Sequence, residues 1–445
     1  MKKMLFAFVV LFIAIASLTA QEFKQPLAAM DLKEGDTLVF LGDSITHQCL
    51  YTQYVEDYFY TRYPDRRIRF HNAGIGGDRA WDALARFDDD VAAYKPKYVT
   101  ILLGMNDGSY TNFSPEIFGT YERDMTQLLD KLAAIGAHAI LMTPTMYDAR
   151  AASLREQKRW RYPYYNAVLA FYGTWLREIA IERGLGFVNM WAPLNDITLQ
   201  ERKKDPKFTL IADAVHPDPP GQVIMATAII ADMVPRSIVS SIILSQQPKT
   251  GKYTVSAVNG KATDLQASDD KISFTFKANA LPWVLPPEAA LGCTLTHLGH
   301  RYSNEKITVR NLKPGKYELR IDGQQVGAYT DGQLAFGVEL ENNPKTPQYQ
   351  QALKVAMLNK ERNEKAVKPL RDLWRGPKTK RREIAALEAS GNKAAADAKR
   401  AELEKTMPTF KAAAAEKIAL AKQYEDQIYQ ANQPVARKYE IIRVQ

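Results

Sequence analysis

Cysteine is scarce in this chain of 445 residues, which has only Cys49 and Cys293. Two thiols exclude a scaffold held together by many disulfides, the kind that small secreted domains use when their cores are small. An oxidising compartment would permit one bridge between the two cysteines. Because the sequence gives no sign that they meet, we expect two buried free thiols.

Long apolar runs are also absent beyond the first twenty residues. Lys2 and Lys3 precede an apolar stretch at residues 4–15, and small residues follow, which is typical of an export signal. We predict that residues 1–20 are a cleaved signal peptide, since an uncleaved anchor would need about 20 apolar residues. The mature protein is therefore expected to be secreted or periplasmic, without stable membrane insertion.

An excess of one charge is absent from most of the chain. Residues 1–340 carry 37 Lys plus Arg and 37 Asp plus Glu, whereas residues 341–445 carry 22 and 13 and hold the whole net charge of +9. This excess could attract an anionic glycan or a membrane surface. Because Glu and Lys alternate through the segment, we interpret it as a solvated helical face that lies away from the functional site. No nucleic-acid partner is expected.

What the chain does contain is an alternation of short apolar strands and helical segments over about residues 37–231. The strand candidates share a high content of apolar residues and lie at 37–41, 67–70, 98–103, 138–142 and 186–189. Strands of this type separated by helices predict a parallel sheet covered on both faces. We assign residues 21–245 to one α/β domain.

A second region, residues 246–345, has a different pattern. Apolar and polar residues alternate between turn formers such as Asn259-Gly260 and Pro314-Gly315. This pattern predicts a small antiparallel β domain with a sandwich-like arrangement.

A third region, residues 346–435, is rich in Ala, Lys and Glu and predicts two or three long helices. The expected breaks are at Gly376-Pro377 and Met407-Pro408. Residues 436–445 have a strand-like pattern and could return to the β domain. The helices would then be an arm that projects from it.

Ser44 is the first candidate for a reactive side chain. It follows the first strand directly after Gly42 and Asp43 and precedes a helical segment. A serine hydroxyl is a weak nucleophile until a base takes its proton, and a strand-to-helix turn can present it beside backbone N–H groups. Considered alone, Ser44 is better explained as a helix N-cap.

The segment Asp213-Ala-Val-His216 supplies a candidate base ahead of the last helix of the α/β region. An imidazole with a pKa near ~6.5 suits a general base, and a carboxylate three residues earlier can accept its N–H and fix its tautomer. By itself this spacing is also typical of a metal-ligand pair or a helix-capping turn. The presence of Ser44 at the end of another strand favours the catalytic interpretation.

Two loops after other strands could stabilise negative charge. Asn106, in Gly104-Met105-Asn106-Asp107, could donate to an oxyanion or form an Asx turn. The loop at residues 74–79, Gly-Ile-Gly-Gly-Asp-Arg, lacks the spacing of a dinucleotide fingerprint and any P-loop lysine, which argues against nucleotide binding. Its glycines would let a backbone N–H approach a reacting carbonyl closely.

Together these segments resemble the SGNH hydrolase family, also called the GDSL esterase/lipase family. Gly42-Asp43-Ser44 matches the first block, with Ile45 where the family name has leucine. Residues 72–78, 104–107 and 213–216 resemble the second, third and fifth blocks. The resemblance covers about residues 35–235 and implies a flavodoxin-like three-layer α/β/α sandwich, in agreement with the strand pattern.

The resemblance also implies that the region is a hydrolase catalytic domain, with ester hydrolysis through an acyl-enzyme. The implied catalytic roles are nucleophile for Ser44, base and later acid for His216, and orienting carboxylate for Asp213. The implied oxyanion hole consists of the backbone N–H groups of Ser44 and Gly77 and the side chain of Asn106. This chemistry requires no metal or organic cofactor. A metal site is not expected, because no ligand set is completed around His71, His297 or His300.

The substrate most consistent with this sequence is an O-acetyl group on a polysaccharide, since family members that de-acylate glycans resemble this arrangement. Trp81 and Tyr147 could stack on sugar rings, or belong to the core. Two alternatives stay open. One is a lysophospholipase or short-chain fatty-ester hydrolase, although no lid rich in Leu or Phe accompanies the motifs. The other is a non-catalytic glycan-binding protein on a hydrolase fold, which would not need all four catalytic residue types.

Overall fold

The structure is a computed structural model that describes residues 24–155 and 162–444. The predicted signal peptide at residues 1–20 lies outside the described residues. Within these limits the chain folds into an α/β region, a β region and a helical region. No helix among the described residues has the length and apolar character needed to cross a bilayer.

The α/β region is built on one sheet of five parallel strands in the order β2-β1-β3-β4-β5. The strands are β1 (Thr37–Gly42), β2 (Arg69–Gly74), β3 (Tyr98–Leu102), β4 (His138–Met142) and β5 (Gly186–Val188). Every residue of β1 and β3 is buried, because helices cover both faces of the sheet. This is the flavodoxin-like strand order, so the predicted fold class is confirmed.

Nine helices of the described chain surround or flank this sheet. They are α1 (Ser44–His47), α2 (Leu50–Arg62), α3 (Ala80–Ala85), α4 (Phe87–Asp90), α5 (Pro115–Ala134), α6 (Ala149–Leu154), α7 (Tyr165–Arg183), α8 (Trp191–Arg202) and α9 (Pro219–Met233). Helix α5 has an ordinary amphipathic pattern, with a buried face towards the sheet. In α2, by contrast, 12 of 13 residues are buried, so another layer must cover its outer side.

The β region consists of two sheets with strand orders β13-β10-β6-β7 and β12-β11-β14-β9-β8. The strands are β6 (Ser240–Gln246), β7 (Tyr253–Val258), β8 (Gly260–Ala267), β9 (Lys271–Ala278), β10 (Glu305–Arg310), β11 (Lys316–Ile321), β12 (Gln324–Thr330), β13 (Val338–Glu339) and β14 (Arg437–Val444). Pairing is antiparallel except between β6 and β10, which run parallel. Ile242 and Val309 of one sheet share a buried core with Phe274 and Tyr439 of the other, so the two sheets pack as a sandwich.

Three short helices interrupt the β region, namely α10 (Ala290–Thr296), α11 (Leu298–Tyr302) and α12 (Asp331–Phe336). Residues before α10 attach the β region to α2. Leu281 donates its N–H to the carbonyl oxygen of Thr61, and Trp283 donates its indole N–H to that of Tyr54. The first strand of the region, β6, begins at residue 240. The predicted domain boundaries at residues 245, 345 and 435 stay a prediction.

The helical region comprises α13 (Pro347–Arg362), α14 (Lys368–Leu373), α15 (Arg375–Ala389) and α16 (Lys393–Ala431). The predicted break at Gly376-Pro377 lies in the first turn of α15, where proline is tolerated. The predicted break at Met407-Pro408 is wrong, since Pro408 lies inside α16. The chain instead reverses between α15 and α16, where Gly391 adopts a φ of +77°.

The expectation of a projecting arm is wrong, because the helical region packs on the α/β region. Asn359 of α13 donates to the carboxylate of Asp57 at 2.8 Å, and Arg362 lies 3.2 Å from Glu56. All four side chains are buried. Burying the carboxylates of Glu56 and Asp57 without partners would cost free energy. Their contacts with Asn359 and Arg362 offset that cost and hold the helical region against α2.

Candidate active site

Ser44 lies at the carboxyl end of β1, as the first residue of α1. The side chain of Asp43 caps this helix by accepting the N–H of Ile45 at 2.9 Å. The turn requires glycine at position 42, because a Cβ atom there would lie 2.1 Å from the hydroxyl of Thr46. The local sequence therefore fixes a tight strand-to-helix turn that presents the Ser44 hydroxyl.

The structure brings Ser44, His216 and Asp213 together. Nε2 of His216 lies 2.8 Å from Oγ of Ser44, and Nδ1 of His216 lies 2.6 Å from Oδ2 of Asp213. The other carboxylate oxygen, Oδ1, accepts the backbone N–H groups of Val215 and His216. Hydroxyl, imidazole and carboxylate thus form a continuous chain of hydrogen bonds.

The surroundings raise the pKa of His216 and lower that of Asp213, as expected for an imidazole that is hydrogen-bonded to a carboxylate. Burial by itself would lower the pKa of His216, but the hydrogen bond and charge of Asp213 outweigh it and raise the pKa. Burial would raise the pKa of Asp213, but the hydrogen bonds from His216 and from the backbone lower it to about 2. Asp213 therefore stays ionised at any ordinary pH.

Asn106 lies just after β3 and faces the same pocket. Its Nδ2 donates to the carbonyl oxygen of Asp78 at 3.0 Å and has a longer contact of 3.3 Å to Oδ2 of Asp43. The neighbouring Asp107 accepts the N–H groups of Ala80 and Gly104, and burial raises its pKa to about 7. Asp107 ties the loop after β3 to the start of α3.

The glycine loop after β2 lies beside Ser44. The N–H of Gly74 donates to Asn72, and the N–H of Gly76 donates to Nδ1 of His47. Within the described part of the chain, the N–H groups of Gly77 and Ser44 donate no hydrogen bond. Among the three glycines of this loop, Gly77 therefore has the N–H group available to a ligand.

A cavity of about 780 Å³ opens over Ser44 and His216. Its other wall is helix α15, which contributes Arg375, Lys378 and Arg382. The expectation that the positive excess lies away from the site is therefore wrong. The run of basic residues at 378–382 was a visible signal, but only the tertiary fold places it here.

The aromatic candidates for sugar stacking do not lie where the sequence suggested. Tyr147 is buried and packs against Tyr165. Among the described residues that line the cavity, neither Tyr147 nor Trp81 is present, whereas Tyr110 is. Apart from the His216 ring, the aromatic side chain that lines the cavity among the described residues is therefore that of Tyr110.

The remaining histidine and cysteine candidates lie elsewhere. His71 is buried against Asp90, and burial lowers its pKa to about 4. His300 pairs with Glu339 at the surface, and no group of three metal-ligating side chains occurs in the part of the chain that the structure describes. Both cysteines are free thiols: Cys49 is buried and Cys293 half-buried.

Comparison with known proteins gives a consistent picture. Residues 40–224 match the model of the GDSL-like Lipase/Acylhydrolase family. An acetylxylan esterase from Geobacillus stearothermophilus is 28% identical over 226 residues, which cover 46% of this chain and 96% of that protein. The solved structure of a gut microbial diltiazem-metabolizing enzyme is 25% identical, with a TM-score of 0.77, and the similarity covers 94% of this chain and 99% of the other.

Proposed function

Since this α/β region belongs to the GDSL-like lipase/acylhydrolase (SGNH) family of ester hydrolases, we propose that the chain hydrolyses O-acetyl esters of a polysaccharide through a Ser-His-Asp triad. The observation that carries the proposal is the hydrogen-bonded chain from Ser44 through His216 to Asp213, with distances of 2.8 and 2.6 Å. Such a chain supplies an activated nucleophile at the floor of an open cavity.

Acylation begins with His216. Because Asp213 accepts the proton on Nδ1, Nε2 is left as the acceptor that faces Ser44. Nε2 takes the hydroxyl proton as Oγ attacks the ester carbonyl carbon. The tetrahedral intermediate then collapses, the bond to the alcohol oxygen breaks, and the proton on Nε2 passes to the departing alcohol. The acetyl group remains on Ser44 as an ester.

Negative charge on the former carbonyl oxygen would be held by three donors. These are the N–H groups of Ser44 and Gly77, which have no partner among the described residues, and the amide of Asn106. The 3.3 Å contact between Asn106 and Asp43 is long for a hydrogen bond, so a substrate oxygen can replace it. Removing one such donor typically costs ~10²–10³ in kcat.

Deacylation repeats these steps with water. His216 takes a proton from a water molecule, whose oxygen attacks the acetyl carbon, and the same donors hold the second tetrahedral intermediate. Collapse breaks the bond to Oγ, the proton returns to Ser44, and acetate leaves. The cycle uses the three triad side chains, the three oxyanion donors and water.

The polar groups that line the cavity support a polar leaving group such as a sugar. The cavity volume of about 780 Å³ lies within the usual range for small-molecule sites, and most of its lining residues carry a charged or polar group, although carbon atoms form the larger part of the lining surface. Val215 and Ala386 are its aliphatic side chains. The similarity to an acetylxylan esterase supports the acetyl group and the glycan.

A second candidate is an ester of a small non-carbohydrate molecule. The similarity to a diltiazem-metabolizing enzyme favours it, because it extends over 94% of this chain. The two candidates share the reaction and differ in the leaving group.

Ser44→Ala tests the reaction itself. The variant is expected to lose hydrolysis of p-nitrophenyl acetate while it keeps the wild-type unfolding temperature. Ser268→Ala, in a surface turn, is the matched control and should keep full activity. Activity of Ser44→Ala at the wild-type level would show that Ser44 is not the nucleophile.

The substrate is tested by a panel of esters with the wild-type enzyme. Acetate release from acetylated xylan and other acetylated glycans is compared with fatty-acid release from lysophospholipids and with any mass change of diltiazem. The proposal expects acetate release from a glycan to have the highest kcat/KM. Fatty-acid release without acetate release would overturn the carbohydrate assignment.

Export is proposed on the basis of residues 1–20. Expression of the full-length chain, followed by N-terminal sequencing of the protein outside the cytoplasm, tests it. A retained Met1 on cytoplasmic protein would contradict the proposal.

A further inference from the structure

Helix α15 contacts the loop of residues 75–79, which we name the oxyanion loop. Lys378 donates a hydrogen bond from Nζ to the carbonyl oxygen of Gly76 at 2.6 Å. The same Nζ lies 2.8 Å from Oδ1 of Asp78 as an ion pair, and only 9% of the Lys378 side chain is exposed. A lysine 300 residues further along the chain therefore lies buried against the site of the nucleophile.

The carbonyl group of Gly76 and the N–H group of Gly77 belong to one peptide unit. Because a peptide unit is planar, holding its oxygen also fixes the direction in which its N–H points. A hydrogen bond to the oxygen also polarises the unit and makes the N–H a better donor. Lys378 therefore acts on the peptide that contains the N–H of Gly77, a residue that lines the cavity.

The neighbouring peptides of the oxyanion loop are held as well. Arg382 donates to the carbonyl oxygen of Gly77 at 2.7 Å while it pairs with Asp82. On the other side, the N–H of Gly76 donates to His47, whose Nε2 lies 3.0 Å from Asp372 of α14. Burial lowers the pKa of His47 to about 4, so its ring stays a neutral acceptor near pH 7.

The oxyanion loop is conformationally flexible by itself and needs these contacts to hold one conformation. Gly77 has a φ of +75°, and glycine is the residue with the widest range of backbone conformations. A site that stabilises charge works best when its donors are fixed before the reaction starts. Nothing within residues 75–79 other than the turn from Asp78 N–H to Ile75 O restrains the Gly76–Gly77 peptide.

We propose that Lys378 is a positioning residue that orients and polarises the Gly76–Gly77 peptide, so that the Gly77 N–H is a preformed donor to the oxyanion. The proposal rests on the proposed function, in which Gly77 is one of the oxyanion donors. It assigns the helical region a supporting part at a site whose proposed triad and oxyanion donors all come from residues 44–216.

The test compares Lys378→Met, Lys378→Gln and Lys378→Arg with the control Lys380→Met. Lys380 lies on the same helix and pairs with Glu402 instead of the oxyanion loop. Lys378→Met is expected to lower kcat for p-nitrophenyl acetate by roughly 10- to 100-fold, less than full loss of a donor, with KM changed by less than about threefold. Lys378→Gln and Lys378→Arg keep a donor and should recover part of kcat, and the control should match the wild type.

A second measurement does not depend on activity. Amide hydrogen exchange in peptides covering residues 74–80 should be faster in Lys378→Met than in the wild type or the control. If Lys378→Met fails to fold, the same comparison is made with Lys378→Gln. Hydrogen exchange also distinguishes failure of the two proposals. If the wild type has no esterase activity, the proposed function is wrong. The exchange rates still show whether Lys378 restrains the oxyanion loop.

Two results would overturn the assignment to Lys378. One is a kcat within twofold of the wild type for Lys378→Met together with unchanged exchange. The other is a rise in KM without a fall in kcat, since a residue that acts only on the oxyanion affects the transition state and leaves ground-state binding intact.

Discussion

Arg371 of α14 and Asp90 of α4 form an ion pair with no solvent exposure, although 281 residues separate them in sequence. Nη1 of Arg371 lies 2.8 Å from Oδ2 and 2.9 Å from Oδ1 of Asp90. Arg86 and His71 also contact this carboxylate. Burial would raise the pKa of Asp90, but the charge of Arg371 and these neighbours hold it below its usual range. The pair joins the helical region to the α/β region at a buried position, where solvent screens the two charges less than at the surface.

Breaking this pair should destabilise the whole protein. Arg371→Met leaves Asp90 buried with fewer partners, and loss of one member of a buried pair typically costs about 3–5 kcal/mol. The free energy of unfolding from urea titration measures the loss. Arg400→Met, which removes an exposed pair with Glu388, is the control and should cost less than about 1 kcal/mol. Equal stability of the two variants would show that the buried pair does not join the regions.

The pH dependence of activity should report His216. The base works only when it is neutral, and its pKa is raised above 6.5, so kcat/KM should fall on the acidic side with a midpoint above pH 6.5. Asp213→Asn removes the group that raises this pKa. The variant's acidic midpoint should therefore shift to lower pH, and kcat should drop by about 10⁴. An unchanged midpoint in the variant would contradict the pairing.

Asn106→Ala removes the side-chain member of the three-donor group. Because the oxyanion exists only along the reaction path, kcat should fall by ~10²–10³ while KM stays nearly constant. Steady-state kinetics with p-nitrophenyl acetate measure both constants. Asn259→Ala, at a turn in the β region, is the control, and a large rise in KM for Asn106→Ala would instead assign the amide to substrate binding.

Pro408 offers a stability test in the long helix α16. The residue is exposed, and a proline inside a helix removes one backbone hydrogen bond at a cost of up to about 3 kcal/mol. Pro408→Ala should therefore raise the unfolding temperature. Thr409→Ala, the next exposed position, should change it little. A lower unfolding temperature for Pro408→Ala would mean that the proline has a favourable role in α16.

The parts of the molecule that were predictable from sequence are those with a local signal. The strands before Ser44 and Asn106 consist mostly of apolar residues, which is typical of buried strands in a parallel sheet. Gly42 permits the tight turn before Ser44, and the three-residue spacing of Asp213 and His216 lets their side chains meet. Each of these features depends on residues within one turn or one strand. That Ser44, Asn106 and His216 lie close together then follows from the rule that open α/β sheets place their ligand sites at the carboxyl ends of the strands.

The errors concern long-range packing. Alternating Lys and Glu in the helical region indicate helix, but they do not show which face is solvated. The decisive partners of Arg371 and Lys378 are Asp90 and Asp78, carboxylates of the α/β region that look exposed in sequence. The break expected at Pro408 was wrong for a local reason, because a helix of 39 residues tolerates one missing hydrogen bond.

Strand β14 has a further consequence for the order of events during biosynthesis. It occupies the centre of its sheet, between β11 and β9, yet it is made after the other four strands of that sheet as the nascent chain leaves the ribosome. The sheet therefore has a gap in its middle until residues 437–444 have been made, and the helical region that borders the cavity over Ser44 is anchored at both ends only then. We expect the α/β region to fold first and to reach full esterase activity only after β14 has inserted between β11 and β9.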